Sequence, residues 1–463
     1  MTGMANATCL LVRTGLFRDR RARAMGAVFG MGGCLLSPVA AWAQGASIVN
    51  PYILSPDTFS TLVFPVVSPD YSRGHNVAVM EEGHPDYDAP GAAIGSFVFR
   101  PKATLGVEAD NNVYATDTDR KSDLSTAFKP GATIASDWSR HLLELRVNGD
   151  FRRYLTQSLR NRNSWSVDPL TELNFGSRVV LHVEGQVGRY YESPYSSDLG
   201  PQAQVLSNFL RSAAIVKATY TGGRSRFTLA FDHTGYAFST IHYANGADGD
   251  QTYRNRTIDR VSGQAEFGIS PSLSLYVATA ADKTHYEVAQ SVTQPALSST
   301  GQNIIAGASF DLTGVMRGNI GVGYTHRDYR DTGYNSVGAF SVQSRLDFFP
   351  FQLTTVSALG QRLIQDSGLG SSAYIDTRVT GEIDQSLREN LIVILNAALA
   401  SQSYVGVSGT RSVRQLQSTV QYQASRWLGF QTELVYKSSR PSNTSLGTAF
   451  SGLSMSLSVT VRR

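Results

Sequence analysis

The chain has 463 residues, with 41 lysines and arginines against 37 aspartates and glutamates, and its mean hydropathy is −0.16. Five arginines and one aspartate of these totals lie in the first 43 residues, so residues 44–463 hold 36 basic and 36 acidic residues. Because a formally neutral chain lacks the basic surface that nucleic-acid binding requires, we expect no nucleic-acid partner.

Residues 1–43 have the features of a secretory signal peptide. The run RDRRAR at 18–23 is a charged n-region, residues 24–39 are mostly apolar and small, and residues 41–43 supply an A-x-A cleavage signal. A transmembrane anchor is the alternative, but the apolar stretch is short and rich in glycine. Both cysteines, Cys9 and Cys34, lie in this leader, so we expect a mature chain without disulfides or thiol chemistry.

The next segment, residues 44–94, is rich in proline, aspartate and glycine and has no convincing periodicity. In front of a membrane barrel, which the alternation from Gly95 onward predicts, such a composition has three alternatives: a disordered tether, a plug of the barrel lumen or a periplasmic docking arm. We expect a periplasmic N-terminal segment, partly disordered and partly ordered, because it precedes the first strand on that side of the membrane.

From Gly95 onward, apolar and polar residues alternate in about 18 segments, with 16 as the alternative count, and this period of two is typical of β-strands. The segments run about 10–15 residues, which is the length that a tilted membrane-spanning strand needs. Strands of soluble sandwiches average only about 5–6 residues. Clear examples are LELRVNGDF at 143–151, the strand at 179–187, FSVQSRLDF at 340–348, IDTRVTGEI at 375–383 and LGFQTELVY at 428–436.

Short turns alternate with longer polar connections along the whole of this region. The short turns are predicted at 137–139, 176–177, 222–223, 270–271, 313–314, 350, 388–389 and 425–426, and the longer loops at 110–123, 155–162, 192–207, 238–254, 287–300, 330–335, 366–371, 406–410 and 438–448. This asymmetry is typical of outer-membrane barrels, which have short periplasmic turns and longer extracellular loops. The fold class is therefore all-β: a transmembrane antiparallel up-and-down β-barrel over residues 95–463.

Aromatic residues gather near the predicted strand ends, which suggests two girdles at the membrane interfaces. Those near the short turns are Trp138, Phe175, Phe348, Phe349, Phe351, Trp427 and Phe430, and those toward the long loops are Tyr190, Tyr191, Tyr236, Tyr286, Tyr329, Tyr374, Tyr404 and Tyr436. The final strand, LSMSLSVTV at 453–461, alternates apolar and small hydroxyl residues. We expect its apolar side chains to face lipid, its serines to face the lumen, and its backbone to close the barrel against the first strand.

Charged side chains occupy the parity opposite to the apolar one and are the candidates for the lumen lining. They are Glu144, Arg146, Asp150, Arg152, His182, Glu184, Arg345, Asp347, Arg378, Glu382 and Glu433. Ladder or cross-lumen salt bridges, such as Arg146 with Glu144 and Arg378 with Glu382, are the ordinary interpretation. Lining of a selective pore is the functional one, and both can hold together.

No Walker loop, zinc-spaced cysteine and histidine cluster or nucleophile elbow is present, so we expect no enzyme, no cofactor and no metal site. The pair Asp232-His233 is similar to the Asp-His pair of barrel proteases, but a polar pair in the lumen or at the rim is the favoured interpretation. The acidic loop at 110–119 offers oxygen ligands for Ca²⁺ without the spacing of a defined site, and a solvated loop is favoured there too.

Five motifs stand out in the first part of the region from residue 77 to 463: HPDYDAPG at 84–91, GSFVFRP at 95–101, DNNVYAT at 110–116, KSD at 121–123 and SDWSRH at 136–141. With these motifs, the region resembles the putative beta-barrel porin 2 family of outer-membrane proteins. The resemblance implies an outer-membrane barrel of a kind often described in Gram-negative bacteria alongside surface-polysaccharide genes. It supplies no catalytic or ligand residues. One departure from many outer-membrane barrels is the chain end, Val461-Arg462-Arg463, where those barrels have a terminal aromatic residue.

We therefore expect a porin-like channel in the outer membrane, since barrels of 16–18 strands leave an aqueous lumen. Outer-membrane lipid and small hydrophilic solutes are the expected partners. The alternative is a conduit or anchor in exopolysaccharide export, which would add polysaccharide and periplasmic export components to the partners. Aromatic side chains stacked along the lumen-facing parity would favour that alternative.

Overall fold

The computed structural model describes residues 77–192, 205–242, 247–292, 294–312, 314–367 and 371–463. The predicted leader, residues 44–76 of the predicted periplasmic segment and Thr313 of one predicted turn lie outside the described residues. In the part of the chain that the structure describes, no helix combines the length and the apolar character that crossing a membrane requires.

Eighteen antiparallel strands of the described chain close into a single β-barrel, which confirms the predicted all-β barrel and its strand number. Each strand pairs with the next along the chain, as in an up-and-down barrel. The barrel strands are β2 (Phe97–Asp110), β3 (Asp123–Ser136), β4 (His141–Tyr154), β5 (Arg162–Phe175), β6 (Val179–Tyr191), β7 (Asn208–Gly222), β8 (Ser225–Phe238), β11 (Arg256–Ser270), β12 (Leu273–Tyr286), β13 (Ser299–Leu312), β14 (Met316–Tyr329), β15 (Val337–Phe351), β16 (Thr354–Asp366), β17 (Ala373–Arg388), β18 (Leu391–Tyr404), β19 (Thr410–Gln423), β20 (Leu428–Pro441) and β21 (Phe450–Arg462).

Short elements accompany the barrel at its two ends. They are the strands β1 (Ala92–Ile94), β9 (Ile241–His242) and β10 (Asp248–Gly249), and the 3-10 helices Val79–Glu81, Ser158–Arg160, Thr252–Arg254 and Thr444–Leu446. β9 and β10 pair with each other inside the loop between β8 and β11. The first 3-10 helix precedes the barrel, and the other three lie in long loops.

The barrel closes between its first and last strands, as the alternation of the final segment predicts. β2 pairs with β21 from Lys102 opposite Arg462 to Asp110 opposite Ser454. Below the end of β21, β1 forms a tight hairpin with β2, with Ile94 opposite Phe97. β1 therefore satisfies backbone groups at the lower end of β2 that β21 does not reach.

Short turns lie at one end of the barrel and longer loops at the other. The turn between β5 and β6 and the turn between β7 and β8 use Gly176 and Gly223 at φ +67° and +58°, a left-handed conformation that glycine adopts without steric cost. Outer-membrane barrels place their short turns in the periplasm. Among the boundaries that differ from the prediction, β20 continues to Pro441 where a loop from residue 438 was expected, and β15 continues to Phe351 through the turn expected at Pro350.

Side chains alternate between an exposed outer face and a covered inner face. In β4, Leu143 and Leu145 are 42% and 40% exposed, whereas Glu144 between them is 6% exposed. In β21, Leu453, Met455 and Leu457 are all exposed and the intervening serines are half-buried, as predicted. The outer face is apolar because it meets lipid, and the inner face is polar because it meets the lumen.

The upper part of β16, at the long-loop end, leaves the barrel wall. The ladder between β15 and β16 runs only from Val342 opposite Arg362 to Phe351 opposite Thr354, while β16 stays paired with β17 as far as Asp366. Ile364 of this free end packs against Val337 and Ala339 of β15. The end of β16 therefore leans over the inner face of β15 and narrows the barrel at the long-loop mouth.

Candidate functional site

The inner face of the barrel carries the polar side chains that a channel would present to a solute. Each predicted lumen-lining residue lies on a strand and shares its parity with buried, inward-facing neighbours: Glu144, Arg146, Asp150, Arg152, His182, Glu184, Arg345, Asp347, Arg378, Glu382 and Glu433. Strand alternation places them there, since residues of one parity along a strand share one face.

Several of these residues pair with the second residue along the same strand. Arg146 Nε lies 2.7 Å from Glu144 Oε1, His182 Nε2 lies 3.4 Å from Glu184 Oε2, and Arg345 Nε lies 3.2 Å from Asp347 Oδ1. Residues i and i+2 of a strand lie on one face about 7 Å apart, a separation that a long side chain spans easily. Acid and base therefore alternate along single strands.

The predicted pairing of Arg378 with Glu382 is wrong. Arg378 Nη2 instead lies 2.6 Å from Asp376 Oδ2, and Glu382 accepts a hydrogen bond from Asn396 Nδ2 on β18 at 3.1 Å. Residues i and i+4 of a strand are about 13 Å apart. Arg378 therefore pairs with Asp376, the carboxylate two residues away, and not with Glu382.

Arg152 forms an ion pair that crosses an intervening strand. Its guanidinium on β4 reaches Glu108 on β2. The β3 residues between them in the register are Ser125, opposite Glu108, and Ala127, opposite Arg152. Their small side chains leave the space through which the arginine extends.

Glu433 completes an acidic neighbourhood beside that pair. It lies on β20 opposite Ser456 of β21, and Ser456 lies opposite Glu108 of β2 on its other side. Two carboxylates therefore flank one small serine on the inner face. Sequence alternation predicted the parity of each residue, whereas this juxtaposition depends on the register.

Residues 77–91, which we call the strap, contact the short-turn mouth on two sides. Glu81 accepts hydrogen bonds from Arg317 Nη2 at 2.8 and 2.9 Å, and the Val79 backbone N–H donates to Thr355 Oγ1 at 2.9 Å. Arg317 and Thr355 stand near the lower ends of β14 and β16. Val79 is 2% exposed, so this end of the strap is packed against the barrel rather than free in solution.

The other end of the strap lies near the closure of the barrel. Arg462 Nη2 donates to the Tyr87 carbonyl, and Arg426, in the turn before β20, donates to the Asp86 carbonyl at 3.2 Å. Gly91 has φ +80°, and a Cβ there would lie 2.6 Å from Val98 Cγ1. The motif HPDYDAPG therefore contacts the barrel near its closure and turns sharply at Gly91 immediately before β1.

Arg317 also binds Asp347, one of the predicted lining residues, through Nε at 3.1 Å. Sequence reasoning did not include Arg317 among the candidates, although its parity in β14 was a usable signal. Glu81 could not be found in that way, since the strap has no periodicity.

At the long-loop mouth, Arg327 joins three strands. Its guanidinium lies 3.1 Å from Asp282 Oδ2 on β12 and 3.0 Å from Asp366 Oδ1 at the free end of β16. Tyr286 and Tyr329 also donate hydrogen bonds to Asp366, at 3.1 and 3.4 Å. This network holds the inward-leaning end of β16 in place.

A second loop folds over the inner face beside this network. Arg254, in the 3-10 helix Thr252–Arg254, binds the carboxylate of Glu192 and Gln251 Oε1. Its guanidinium carbon lies 4.1 Å from the Phe238 ring centroid, and that of Arg256 lies 4.5 Å from the Tyr236 ring. Cation–π contacts of this kind stabilise a cation that is removed from water.

Most of the tyrosines predicted for the upper aromatic girdle point into the barrel. Tyr374 is 1% and Tyr404 8% exposed, and their rings lie 5.4 Å apart beside buried Leu446. Tyr236 and Tyr286 are also buried, whereas Tyr436 is on the outer face as predicted. A position near a strand end sets the depth of a residue in the membrane, but its parity sets the face, and these tyrosines have inward parity.

The Asp232-His233 pair is separated by the fold, as neighbours on one strand must be. Asp232 is buried on the inner face, with Arg260 Nη1 at 4.0 Å, whereas His233 is on the outer face with Nδ1 2.6 Å from Asp259 Oδ1. The two side chains cannot act together on one substrate.

The acidic loop at 110–119 is organised by an asparagine. Asn112 is fully buried; its Oδ1 accepts from the Thr116 backbone N–H at 3.0 Å, and its Nδ2 donates to the Thr116 and Ser451 carbonyls. Across the described ranges, no group of three or more histidine, cysteine, aspartate or glutamate side chains is arranged to hold a metal ion.

Residues 84–463 match the family described as putative beta-barrel porin 2. The chain belongs to this family. The match begins at the first residue of HPDYDAPG and extends to the C-terminus, so it covers the second half of the strap and the whole barrel, and it confirms the resemblance noted from the sequence. As a barrel of this family, the protein is located in the outer membrane.

Solved outer-membrane barrels are similar to the chain at low sequence identity. The outer membrane protein OpdK from Pseudomonas aeruginosa is 12% identical over 79% of this chain and 99% of its own, with a TM-score of 0.42. A BenF-like porin from Pseudomonas fluorescens Pf-5 is 12% identical over 79% and 99%, with a TM-score of 0.43. OccAB4 from Acinetobacter baumannii is 8% identical over 82% and 100%, with a TM-score of 0.44. The comparison with curated proteins gave no match.

Proposed function

We propose that the protein is a passive channel through which small hydrophilic solutes diffuse across the outer membrane. The observation that carries the proposal is the closed barrel of eighteen strands with a polar, mixed-charge inner face. Eight-stranded barrels are filled by their own side chains, whereas barrels of about 16–18 strands leave an aqueous lumen. The inward-leaning end of β16 and the loop at 252–254 would narrow the mouth and limit solute size.

The leader and the N-terminal segment are part of the same proposal. Residues 1–43 would be a signal peptide for export, and residues 44–94 a periplasmic segment on the short-turn side. The contacts of the strap with Arg317, Thr355, Arg426 and Arg462 support a position at that mouth.

A conduit or anchor in exopolysaccharide export is the alternative. It would be favoured by aromatic rings displayed to a sugar chain along the bore. The inward tyrosines at the mouth are instead buried against loops and against each other, which supports the general channel. An enzymatic role has no support from Asp232 and His233, since they face opposite sides of the wall.

We expect the purified protein to conduct ions in planar bilayers with weak charge selectivity. The reason is that acids and bases alternate along the inner face, as at Glu144 and Arg146 or Arg345 and Asp347. The measurement is the reversal potential under a salt gradient. A strong preference for anions or cations would contradict the proposed lining, and a lack of conductance in every preparation would favour the anchor.

Deleting residues 44–91, with the leader kept, is expected to raise the single-channel conductance without loss of assembly. The deletion removes the strap and its contacts with Arg317 and Thr355 at the short-turn mouth. The matched control is deletion of residues 44–70, which keeps the strap and should leave conductance near that of the full chain. Unchanged conductance without the strap would show that it does not narrow the mouth.

A further inference from the structure

The outer face of β16–β20 carries a row of polar residues near the long-loop end. In-register pairs join Arg362 to Thr377, Thr377 to Ser401, Ser401 to Ser412, and Ser412 to Arg440. Arg414 is the next outward residue below Ser412 on β19, so it lies diagonally beside Arg440. We call Arg362, Arg414, Arg440 and the hydroxyl residues between them the arginine row.

Two guanidiniums of the arginine row are available for a ligand. Arg414 and Arg440 are both exposed, and neither has a hydrogen-bond or ion-pair partner among the residues that the structure describes. As diagonal neighbours on adjacent strands, their backbones are about 7–8 Å apart, within reach of one small anion between the two side chains. Arg362 differs, because it donates to the Phe340 carbonyl and to Thr377 Oγ1.

Among the described residues, the register neighbours of these arginines include hydroxyl groups and no acid. Arg414 lies opposite Leu399 and Ser438 in the register, with Ser451 beyond Ser438, and Arg440 lies opposite Ser412. The loops at 405–409 and 442–449 contain no aspartate or glutamate. The positive charge of Arg414 and Arg440 is therefore not balanced by their neighbourhood.

The depth of Arg440 corresponds to the outer membrane interface. Phe430, near the lower end of β20, and Arg440 have the same parity and are ten residues apart. Ten residues span about 33 Å along a strand and about 25 Å in height at a tilt near 40°. That height equals the apolar band of such barrels, so Arg440 lies at the level of the lipid headgroups while Leu399, Leu416 and Leu453 below it face acyl chains.

Two outward-facing cations at this end of the barrel, Lys283 and His326, have acidic neighbours, whereas Arg153 and Arg189 have no acid opposite them in the register. Lys283 on β12 lies opposite Asp259 of β11, and His326 Nε2 lies 3.0 Å from Asp328 Oδ1. The arginine row differs from these cations in placing two exposed guanidiniums side by side on adjacent strands. Its charge is arranged toward something outside the protein.

We propose that the arginine row binds the phosphate group of a glycolipid headgroup in the outer leaflet. The planar guanidinium matches phosphate oxygens through two parallel hydrogen bonds, and two unpaired arginines offer this twice. The hydroxyls of Ser401, Ser403 and Ser412 can pair with the sugar, and the leucines below bury acyl chains. A soluble phosphate would lack that apolar contact, which is why a lipid is the proposed occupant.

The test uses the full mature chain in phosphatidylcholine nanodiscs, titrated with diphosphorylated lipid A and followed by native mass spectrometry. We expect Arg414→Gln/Arg440→Gln to bind lipid A at least roughly tenfold more weakly than the unmodified chain. The reason is that loss of one charge-assisted hydrogen bond typically lowers the binding affinity about tenfold. Arg414→Lys/Arg440→Lys should lose part of the affinity, because the charge stays but the paired hydrogen bonds go. Lys283→Gln is the matched control and should bind normally.

The conductance of Arg414→Gln/Arg440→Gln should equal that of the unmodified chain, because both side chains are outside the lumen. This readout separates the lipid site from the proposed channel. Equal binding of dephosphorylated lipid A, normal binding by the double glutamine variant, or equal loss in Lys283→Gln would each overturn the proposal. So would a change in oligomeric state of the double variant, since the row would then be a contact with a second copy.

Discussion

Leu457→Arg is expected to prevent the barrel from folding stably, whereas Ser456→Arg should fold. Leu457 is exposed on the outer face and stands opposite Val107 and Thr432 in the register. An arginine facing lipid near the bilayer midplane costs on the order of 2–4 kcal/mol. Both positions lie on β21 at almost the same depth, so the comparison isolates the face of the barrel.

Ser456→Arg has a specific reason to be tolerated. Its register partners are Glu108 on β2 and Glu433 on β20, so the new guanidinium would meet two carboxylates on the inner face. The measurement for both variants is the heat-modifiable, compact band on a gel, followed by conductance of the folded protein. The assignment of the two faces fails if both arginines behave alike or if the serine variant is the damaged one.

Arg327→Gln is expected to destabilise the long-loop mouth and to raise the conductance. The substitution removes the cation that lies 3.1 Å from Asp282 and 3.0 Å from Asp366. Breaking a buried ion pair by removing one partner typically costs about 3–5 kcal/mol, because the remaining charge stays uncompensated. The free end of β16, which no longer pairs with β15 there, should then move away from the bore.

The midpoint of heat modification and the single-channel conductance measure this effect. Arg330→Gln is the matched control, since Arg330 is exposed three residues further along the chain and should change neither quantity. Arg327→Lys should restore part of the stability, because it keeps one charged contact. An unchanged midpoint together with unchanged conductance in Arg327→Gln would show that this network does not hold the mouth.

Outward polar residues near the upper rim have two distinct roles in this barrel. His233 and Asp259 pair with each other, which limits the cost of charge beside the apolar band. Arg414 and Arg440 are not paired within the described chain, which is the basis of the proposed lipid contact. Strand parity assigns all four residues to the outer face, but only the register distinguishes the pairs from the unpaired arginines.

The sequence by itself determined the architecture. Strict alternation, as in the final strand from Leu453 to Val461, assigns each side chain to a face, because the period of a strand is two. The alternation of short turns and long loops orders the strands, because antiparallel neighbours are joined by hairpins. These local rules suffice for the eighteen strands and for the inward parity of residues such as Glu144 and Glu433.

Only the tertiary structure decided which inward residues meet. Arg152 reaches over Ser125 and Ala127 to Glu108, and Arg327 binds the free end of β16. Parity carries no information about the register between strands or about a strand end that leaves the barrel wall. It also says nothing about the strap, which has no periodicity and brings Glu81 to Arg317. Those contacts depend on distances between residues far apart in the chain, which a local pattern cannot encode.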